Sequence, residues 1–290
     1  LIDPHDPRRG AAAALRVLES ALRSPPAGST TLCHALGHAH IDTAWLWPLR
    51  ETRRKCLRTF SNVLSLMARH PGFRFIASQA AQYAMVEADA PALFRRIARR
   101  VASGQWEPAG AMWVEPDCNI PSGESLVRQV LHGCAYWADR FGPRTPQRVL
   151  FLPDTFGFPP CLPTIMRGCG LDTFITSKIA WNDTTPFPHT TFSWRGLDGS
   201  EVLSHFTPGN DYNATNSPRE LRRGQANHRT LQIPARDDRG RAFAGARWLQ
   251  PFGFGDGGGG PTDAMIDHAQ WSAECEGLPR VRMTTAHDFA

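Results

Sequence analysis

Gly37-His38-Ala39-His40-Ile41-Asp42-Thr43-Ala44-Trp45 places two imidazoles and a carboxylate at alternating positions. The stretch follows an apolar run at residues 31–36. Alternate side chains of a strand share one face, so His38, His40 and Asp42 are expected to project together at the strand's C-terminal end. Imidazole nitrogen and carboxylate oxygen are the usual ligands of a catalytic zinc, which takes three protein ligands and keeps one position open. Trp45 follows at once, and an indole beside a metal offers a platform for the apolar face of a sugar ring. The plainer reading stays open at this point: His-x-His pairs arise by chance, and a partly buried histidine is usually just hydrogen-bonded.

The elements that must position these groups alternate along the chain. Strands are predicted at 31–38, 73–78, 105–114, 148–152, 172–176, 247–252 and 280–283. Helices are predicted at 11–23, 50–70, 80–101 with a restart at Pro91, 123–141 capped by Ser122, 161–168, 217–224 and 262–276. Asp198-Gly199 between residues 192–194 and 201–206 signals a hairpin. Residues 24–29 read as a linker and 227–241 as a polar loop. Alternating strands and helices imply an α/β fold, a seven-stranded parallel β/α barrel-like sheet with helices outside. The expected division is a helix and linker at 1–30 and one catalytic domain at 31–290. In such folds the site gathers at the C-terminal ends of the strands.

The chemically loaded stretches follow strands as that rule asks. Met112-Trp113-Val114-Glu115-Pro116-Asp117-Cys118-Asn119 comes after the third strand, and Pro153-Asp154-Thr155-Phe156-Gly157-Phe158 after the fourth. Phe252-Gly253-Phe254-Gly255-Asp256 and the run Gly257–Gly260 follow a late strand. Carboxylates among aromatic rings suit a carbohydrate site. Taken singly, Asp117 reads better as a helix cap or turn residue, and Asp154 before Thr-Phe-Gly also fits a turn. The glycine run lacks the Gly-Lys-Ser/Thr end of a phosphate loop, so it reads as backbone turning tightly beside a ligand. Cys118 has no electropositive setting and reads as a spectator.

Composition bounds the function. The chain has 290 residues, 41% hydrophobic and 20% charged, with a net charge of +5. Lys55 and Lys178 are its only lysines. The arginines, such as Arg95, Arg96, Arg99 and Arg100, fall on helices without interleaved aromatics, which points away from nucleic acid. Seven cysteines with no Cys-x-x-Cys argue against a disulfide framework and fit a reducing cytoplasm. No apolar run reaches the roughly 20 residues of a membrane span, and no signal peptide opens the chain. A cytoplasmic protein is expected. The start at Leu1 and the end at Ala290 read as those of a fragment.

The four motifs Gly-His-Ala-His-Ile-Asp-Thr-Ala-Trp, Met-Trp-Val-Glu-Pro-Asp-Cys-Asn, Leu-Pro-Asp-Thr-Phe-Gly-Phe and Phe-Gly-Asp-Gly-Gly-Gly-Gly-Pro-Thr, in this order, resemble glycoside hydrolase family 38, the class II α-mannosidases, in the cytosolic and bacterial branch. The resemblance implies a glycoside hydrolase/deacetylase-type barrel, incomplete at the C-terminus. It implies a retaining exo-α-mannosidase with one Zn²⁺, for which Co²⁺ can serve, acting on α-mannosyl oligosaccharides. It further implies that His40, Asp42 and Asp117 hold the metal, that Asp117 is the nucleophile, and that Asp256 is the acid/base. Trp45, Trp113, Asp154 and Phe156 are implied to meet the sugar, with His38 orienting its neighbours from behind the metal ligands. The family's remaining histidine ligand lies in a His-Arg-Gly-type stretch that has no counterpart here, and His287 lacks that context. Homo-oligomerisation is expected only through domains outside this chain. Two rivals remain: a zinc-dependent carbohydrate deacetylase, and an inactive carbohydrate-binding fragment.

Overall fold

The computed structural model describes residues 3, 5–6, 8–22, 31–142, 145, 147–209, 211–228 and 247–290. The expected linker 24–29 and nearly all of the expected loop 227–241 lie outside the described residues. Nine strands are described: β1 (Leu32–His38), β2 (Phe75–Ala77), β3 (Trp106–Pro108), β4 (Val149–Leu152), β5 (Thr173–Thr176), β6 (Thr191–Arg195), β7 (Glu201–Phe206), β8 (Arg247–Phe252) and β9 (Arg280–Met283). The helices are α1 (Ala11–Leu22), α2 (Leu49–Arg69), α3 (Ala80–Asp89), α4 (Pro91–Ala102), α5 (Gly123–Phe141), α6 (Leu162–Gly168), α7 (Pro218–Asn227), α8 (Asp263–Trp271) and α9 (Ala286–Phe289).

β1 is the axis. It pairs in parallel with β8 over Leu32–Gly37, with β9 over residues 32–35, and with β2 at Gly37 and His38. β3 continues the sheet beside β2. β4, β5 and β7 form a second parallel sheet, to which β6 adds an antiparallel hairpin strand, as Asp198-Gly199 predicts. Ser122 caps α5 by accepting the Ser125 N–H at 3.2 Å, and Pro91 starts α4 at its first turn. β3 is shorter than the predicted 105–114, because Gly110 (φ 110°) and Ala111 (φ 66°) turn the chain away after Pro108.

The seven-stranded barrel expected from the alternation is not what the described strands form. They make two separate sheets of five and four strands, and neither closes. The physical reason lies in two prolines. The Phe75 N–H bonds to the Gln105 carbonyl, so alternation leaves Pro108 facing the outer edge of β3, where it has no N–H to offer β4. The Gln147 side chain spans this seam instead, donating to the Pro108 carbonyl at 2.9 Å. On the far side of β8, the Leu249 N–H goes to His205 Nε2 of β7 at 3.1 Å. Pro251, two residues on, again lacks the donor a ladder would need.

The two sheets nevertheless share a core. Leu36, Ile76, Val149, Phe151, Ile175 and Leu249, from β1, β2, β4, β5 and β8, are buried together with Ala286 and Phe289 of α9. Period two sends the alternate residues outward. Cys33 and Ala35 pack under Phe60, Val63 and Met67 of α2, while Leu150 and Leu152 meet Leu126 and Val130 of α5. The β1 residues on the inner face are therefore His34, Leu36 and His38, which aims this row at the cavity beyond the strand's end. Among the described residues, no helix is long and apolar enough to cross a membrane.

Candidate active site

The loop after β1 carries His40 and Asp42 over the end of the sheet. Its conformation is unusual, with Ala44 in the left-handed region at φ 66°. One hydroxyl holds it there. Thr52, buried in the first turn of α2, donates to the Asp42 carbonyl at 2.8 Å and accepts the Ala44 N–H and Trp47 Nε1–H, both at 3.1 Å. Gln79, just before α3, ties the same loop to the one after β3. Its Nε2 donates to the Ile41 carbonyl at 2.8 Å, while its Oε1 accepts from Thr43 at 2.6 Å and from the Glu115 N–H at 3.2 Å. Thr52→Val keeps the shape but strands two donors and a carbonyl. An unmade buried hydrogen bond costs about 1–3 kcal/mol, so the urea midpoint is expected to fall by the equivalent of about 2–3 kcal/mol.

Glycines admit the late loop. A Cβ on Gly253 (φ 135°) would stand 2.2 Å from the His38 carbonyl oxygen, and one on Gly258 (φ 72°) would stand 2.4 Å from Ile41. The approach is to the β1 loop, and Gly257 reaches the cavity wall.

These loops enclose a cavity of about 480 Å³, within the roughly 300–1,000 Å³ of small-molecule sites. Its floor is acidic. His40 Nε2 lies 3.2 Å from both Asp42 Oδ1 and Asp154 Oδ2, and His40 Nδ1 lies 3.2 Å from Glu115 Oε2. Asp154 Oδ1 takes Lys178 Nζ at 2.9 Å and the Tyr212 hydroxyl at 3.0 Å. Burial opposes a charge on His40, but Glu115, Asp154 and Asp42 together raise its pKa well above the usual value. Burial likewise pushes the Asp154 carboxyl up, yet His40 and Lys178 outweigh it and hold the pKa at about 2. Lys178 itself is wedged among rings, its Nζ 3.4 Å from the centre of Trp181, 5.0 Å from Phe156 and 5.1 Å from Tyr212. Trp45, Phe156 and Trp181 are 65%, 59% and 65% exposed and line the cavity, presenting bare aromatic surface beside the carboxylates.

The sequence-derived residues do not all meet at one place. His40, Asp42, Asp117, Asp154, Trp45 and Phe156 all line the one cavity. Of these, His40, Asp42 and Asp154 offer donor atoms all within 4.8 Å of one another. Asp117, counted with the ligands on the strength of the resemblance, lies outside that group. Its Oδ1 accepts the N–H groups of Asn119 and Ile120 at 2.7 and 2.8 Å. His38 sits behind the floor, wholly buried, with Nδ1 3.3 Å from the Ile76 carbonyl and its ring against Phe151 and Tyr212. Burial, then the proximity of His40, lower its pKa to about 3, so its ring is neutral.

Trp113 does not line the cavity. After the turn at Ala111 it packs against the edge of Tyr136, ring centres 5.8 Å apart, at the margin of the main core. Asp256 begins a short turn through Gly258, and its side chain lies outside the described residues. Cys118 is buried, and its thiol is pushed up to about 12 by burial and then by Glu115 and Asp117, which agrees with a spectator. His287 turns away from the cavity and pairs with Glu107 at 2.5 Å. Sequence reasoning missed Trp47, Thr155, Lys178, Trp181 and Tyr212, which also line the cavity. Only Lys178 carried a signal, as one of two lysines in the chain.

This fold and site define a family: the chain belongs to glycosyl hydrolases family 38, matching the model of the family's N-terminal domain over residues 30–290. It is 48% identical over 252 residues to Alpha-mannosidase 2C1 of Homo sapiens, covering 87% of this chain and 23% of that protein. It is 40% identical over 261 residues to Alpha-mannosidase G of Dictyostelium discoideum, covering 90% of this chain and 23% of that protein. The chain thus spans about a quarter of the length of the curated relatives it matches. In shape it follows the crystal structure of an alpha-mannosidase from Enterococcus faecalis V583, with a TM-score of 0.68 at 18% identity over 89% of this chain and 29% of that one. At that identity the likeness speaks for the fold alone.

Proposed function

We propose that this chain is the catalytic domain of a zinc-assisted, retaining exo-α-mannosidase acting on the terminal α-mannosyl residues of oligosaccharides. The observation that carries the reading is the convergence of His40 Nε2, Asp42 and Asp154 at the floor of a cavity walled by exposed rings, in a chain of family 38. One nitrogen and two carboxylate oxygens fit Zn²⁺ in type and number, so His40, Asp42 and Asp154 are the residues that would hold it. When bound, the ion supplies Lewis-acid charge for the sugar hydroxyls it meets.

The chain's own groups do the rest. Trp45 and Phe156 stack on the apolar faces of the sugar. Asp117 is the nucleophile. Its Oδ1 is held by two backbone N–H groups, which leaves Oδ2 to attack the anomeric carbon as the bond to the leaving oxygen breaks. Asp256 gives that oxygen its proton, then takes one from water, and the water oxygen displaces Asp117 with net retention. Retention calls for the Asp117 and Asp256 carboxyl groups about 5–5.5 Å apart. The assignment of Asp256 is supported by its neighbour in the chain, Gly257, which lines the same cavity.

The test is release of 4-nitrophenol from 4-nitrophenyl α-mannoside by the full-length protein, with zinc measured on the same sample. Zinc at one per chain and turnover lost in Asp117→Ala are expected. Acetate released from an N-acetylated sugar in place of mannose would convert the reading to a deacetylase. Sugar binding without turnover would make the chain a binding module.

A further inference from the structure

We propose that Glu115 is the positioning residue of this site, with each carboxylate oxygen fastening a different metal donor. The inference rests on the metal reading above and deepens it. The Glu115 side chain is 5% exposed. Its Oε1 gathers three donors from one turn: the Asp154 N–H, the Thr155 N–H at 2.9 Å and the Thr155 hydroxyl at 3.2 Å. That oxygen fixes the backbone from which the Asp154 carboxylate projects. The other oxygen, Oε2, is buried without a well-aligned hydrogen bond among the described residues, and it stands 3.2 Å from His40 Nδ1. The backbone N–H of Glu115 is in turn anchored on Gln79, the residue that also holds the His40–Asp42 loop through Ile41 and Thr43.

The two oxygens therefore have separate tasks. A carboxylate facing Nδ1 keeps the proton on that nitrogen. When a metal takes Nε2, which faces Asp42 Oδ1 and Asp154 Oδ2, the one remaining ring proton is on Nδ1, facing Glu115. A carboxylate behind a ligating histidine in this way fixes its tautomer and orientation, and losing it typically costs 10–100-fold in metal affinity. Thr155 fills out the clamp, the single proton of its hydroxyl shared between Glu115 Oε1 and the Pro116 carbonyl, the latter at 3.0 Å.

Two variants separate the tasks. In Glu115→Gln the three donors of the Asp154–Thr155 turn require the amide oxygen, so the NH₂ group must face His40 Nδ1. Nδ1 then has to accept, and the proton moves to Nε2, where it blocks a metal. Glu115→Gln is expected to weaken zinc 10–100-fold, read by competition with a chromophoric chelator. It should leave the Asp154 and Thr155 amides as protected from hydrogen exchange as in the wild type. Glu115→Ala is expected to weaken zinc equally and to speed exchange at both amides by at least tenfold. Wild-type zinc affinity in Glu115→Gln overturns the proposal. If the wild-type protein takes up no zinc, the metal reading fails by itself, and exchange decides the positioning claim. Faster exchange at Asp154 and Thr155 in Glu115→Ala then supports it, and unchanged exchange overturns it.

Discussion

Asp154→Asn is expected to lower mannoside kcat/KM of the full-length protein about 10³-fold, and Asp154→Ala at least as much. The variants are expected to differ in stability. Asp154 has one oxygen facing His40 Nε2 at 3.2 Å and the other shared by Lys178 and Tyr212. Losing the first removes a donor from the proposed metal group, and a Lewis acid is worth several kcal/mol; 10³-fold corresponds to about 4 kcal/mol. Losing the second strands Lys178, which is 7% exposed and ringed by Trp181, Phe156 and Tyr212. Removing one partner of a buried ion pair costs roughly 3–5 kcal/mol. Because Asp154 keeps 20% of its exposure, the low end applies, about 3 kcal/mol for Ala. Asn retains an oxygen for Tyr212 and Lys178, and about 1 kcal/mol is expected. If Asp154→Asn keeps activity within tenfold of wild type, Asp154 does not belong to the metal group. If Asp154→Ala unfolds at the wild-type urea midpoint, the Lys178 pair contributes nothing to the fold.

His40 and Asp42 were legible because they stand two residues apart just past a strand, and period two survives the strand's end at His38. The same alternation explains His38, which shares the inner face but stops one step short of the cavity. Asp154 could be picked out as a pocket residue from its place after β4. That it, and not Asp117, converges with His40 could not be read locally. Asp117 is drawn aside by the N–H groups of Asn119 and Ile120, while Asp154 is drawn in by a carboxylate, a lysine and a tyrosine from three other loops. Trp113 was misplaced because a left-handed residue, Ala111, redirects the chain. Non-glycine residues rarely adopt that conformation, and no residue type announces it.

The strands and helices were read nearly to the residue where periodicity was strong, as in β1, α2 and α5. Closure of the sheet was not. Whether neighbouring strands pair depends on which edge each N–H faces, and this turns on single residues. Pro108 and Pro251 face the two seams and have no N–H to give. Both prolines are visible in the sequence, but which way they face follows only from the register against β2 and β1. At one seam the bond that replaces the ladder falls to a buried histidine, His205.

That histidine makes the domain acid-sensitive. Its Nε2 accepts the Leu249 N–H, so its proton sits on Nδ1, which donates to the Thr191 hydroxyl at 2.8 Å. A second proton would aim an N–H at an N–H. Burial, reinforced by His228, lowers its pKa well below the usual value. His34, also buried on the inner face, is lowered to about 4 by burial and then by Arg247 and Arg282. Unfolded, both titrate near 6.5. Both folded values are depressed, so the unfolded chain binds more protons once the pH drops below about 6.5. The contribution to stability is complete above 6.5 and is lost as pH falls below it, down to about 4 for His34. Each pH unit in that window costs about 1.4 kcal/mol per histidine. At pH 5.0 His34 alone costs roughly 2 kcal/mol, and His205 adds to it in the same direction, against the roughly 5–15 kcal/mol that holds a typical domain. Few carboxylates have yet taken up protons there. The expected result is a urea midpoint far lower at pH 5.0 than at pH 7.5. In His205→Gln the amide oxygen can accept the Leu249 N–H and its NH₂ can reach Thr191 without titrating, so the difference between the two pH values should shrink. A variant whose midpoint falls between the two pH values as far as the wild type's would show that His205 is not the group that charges.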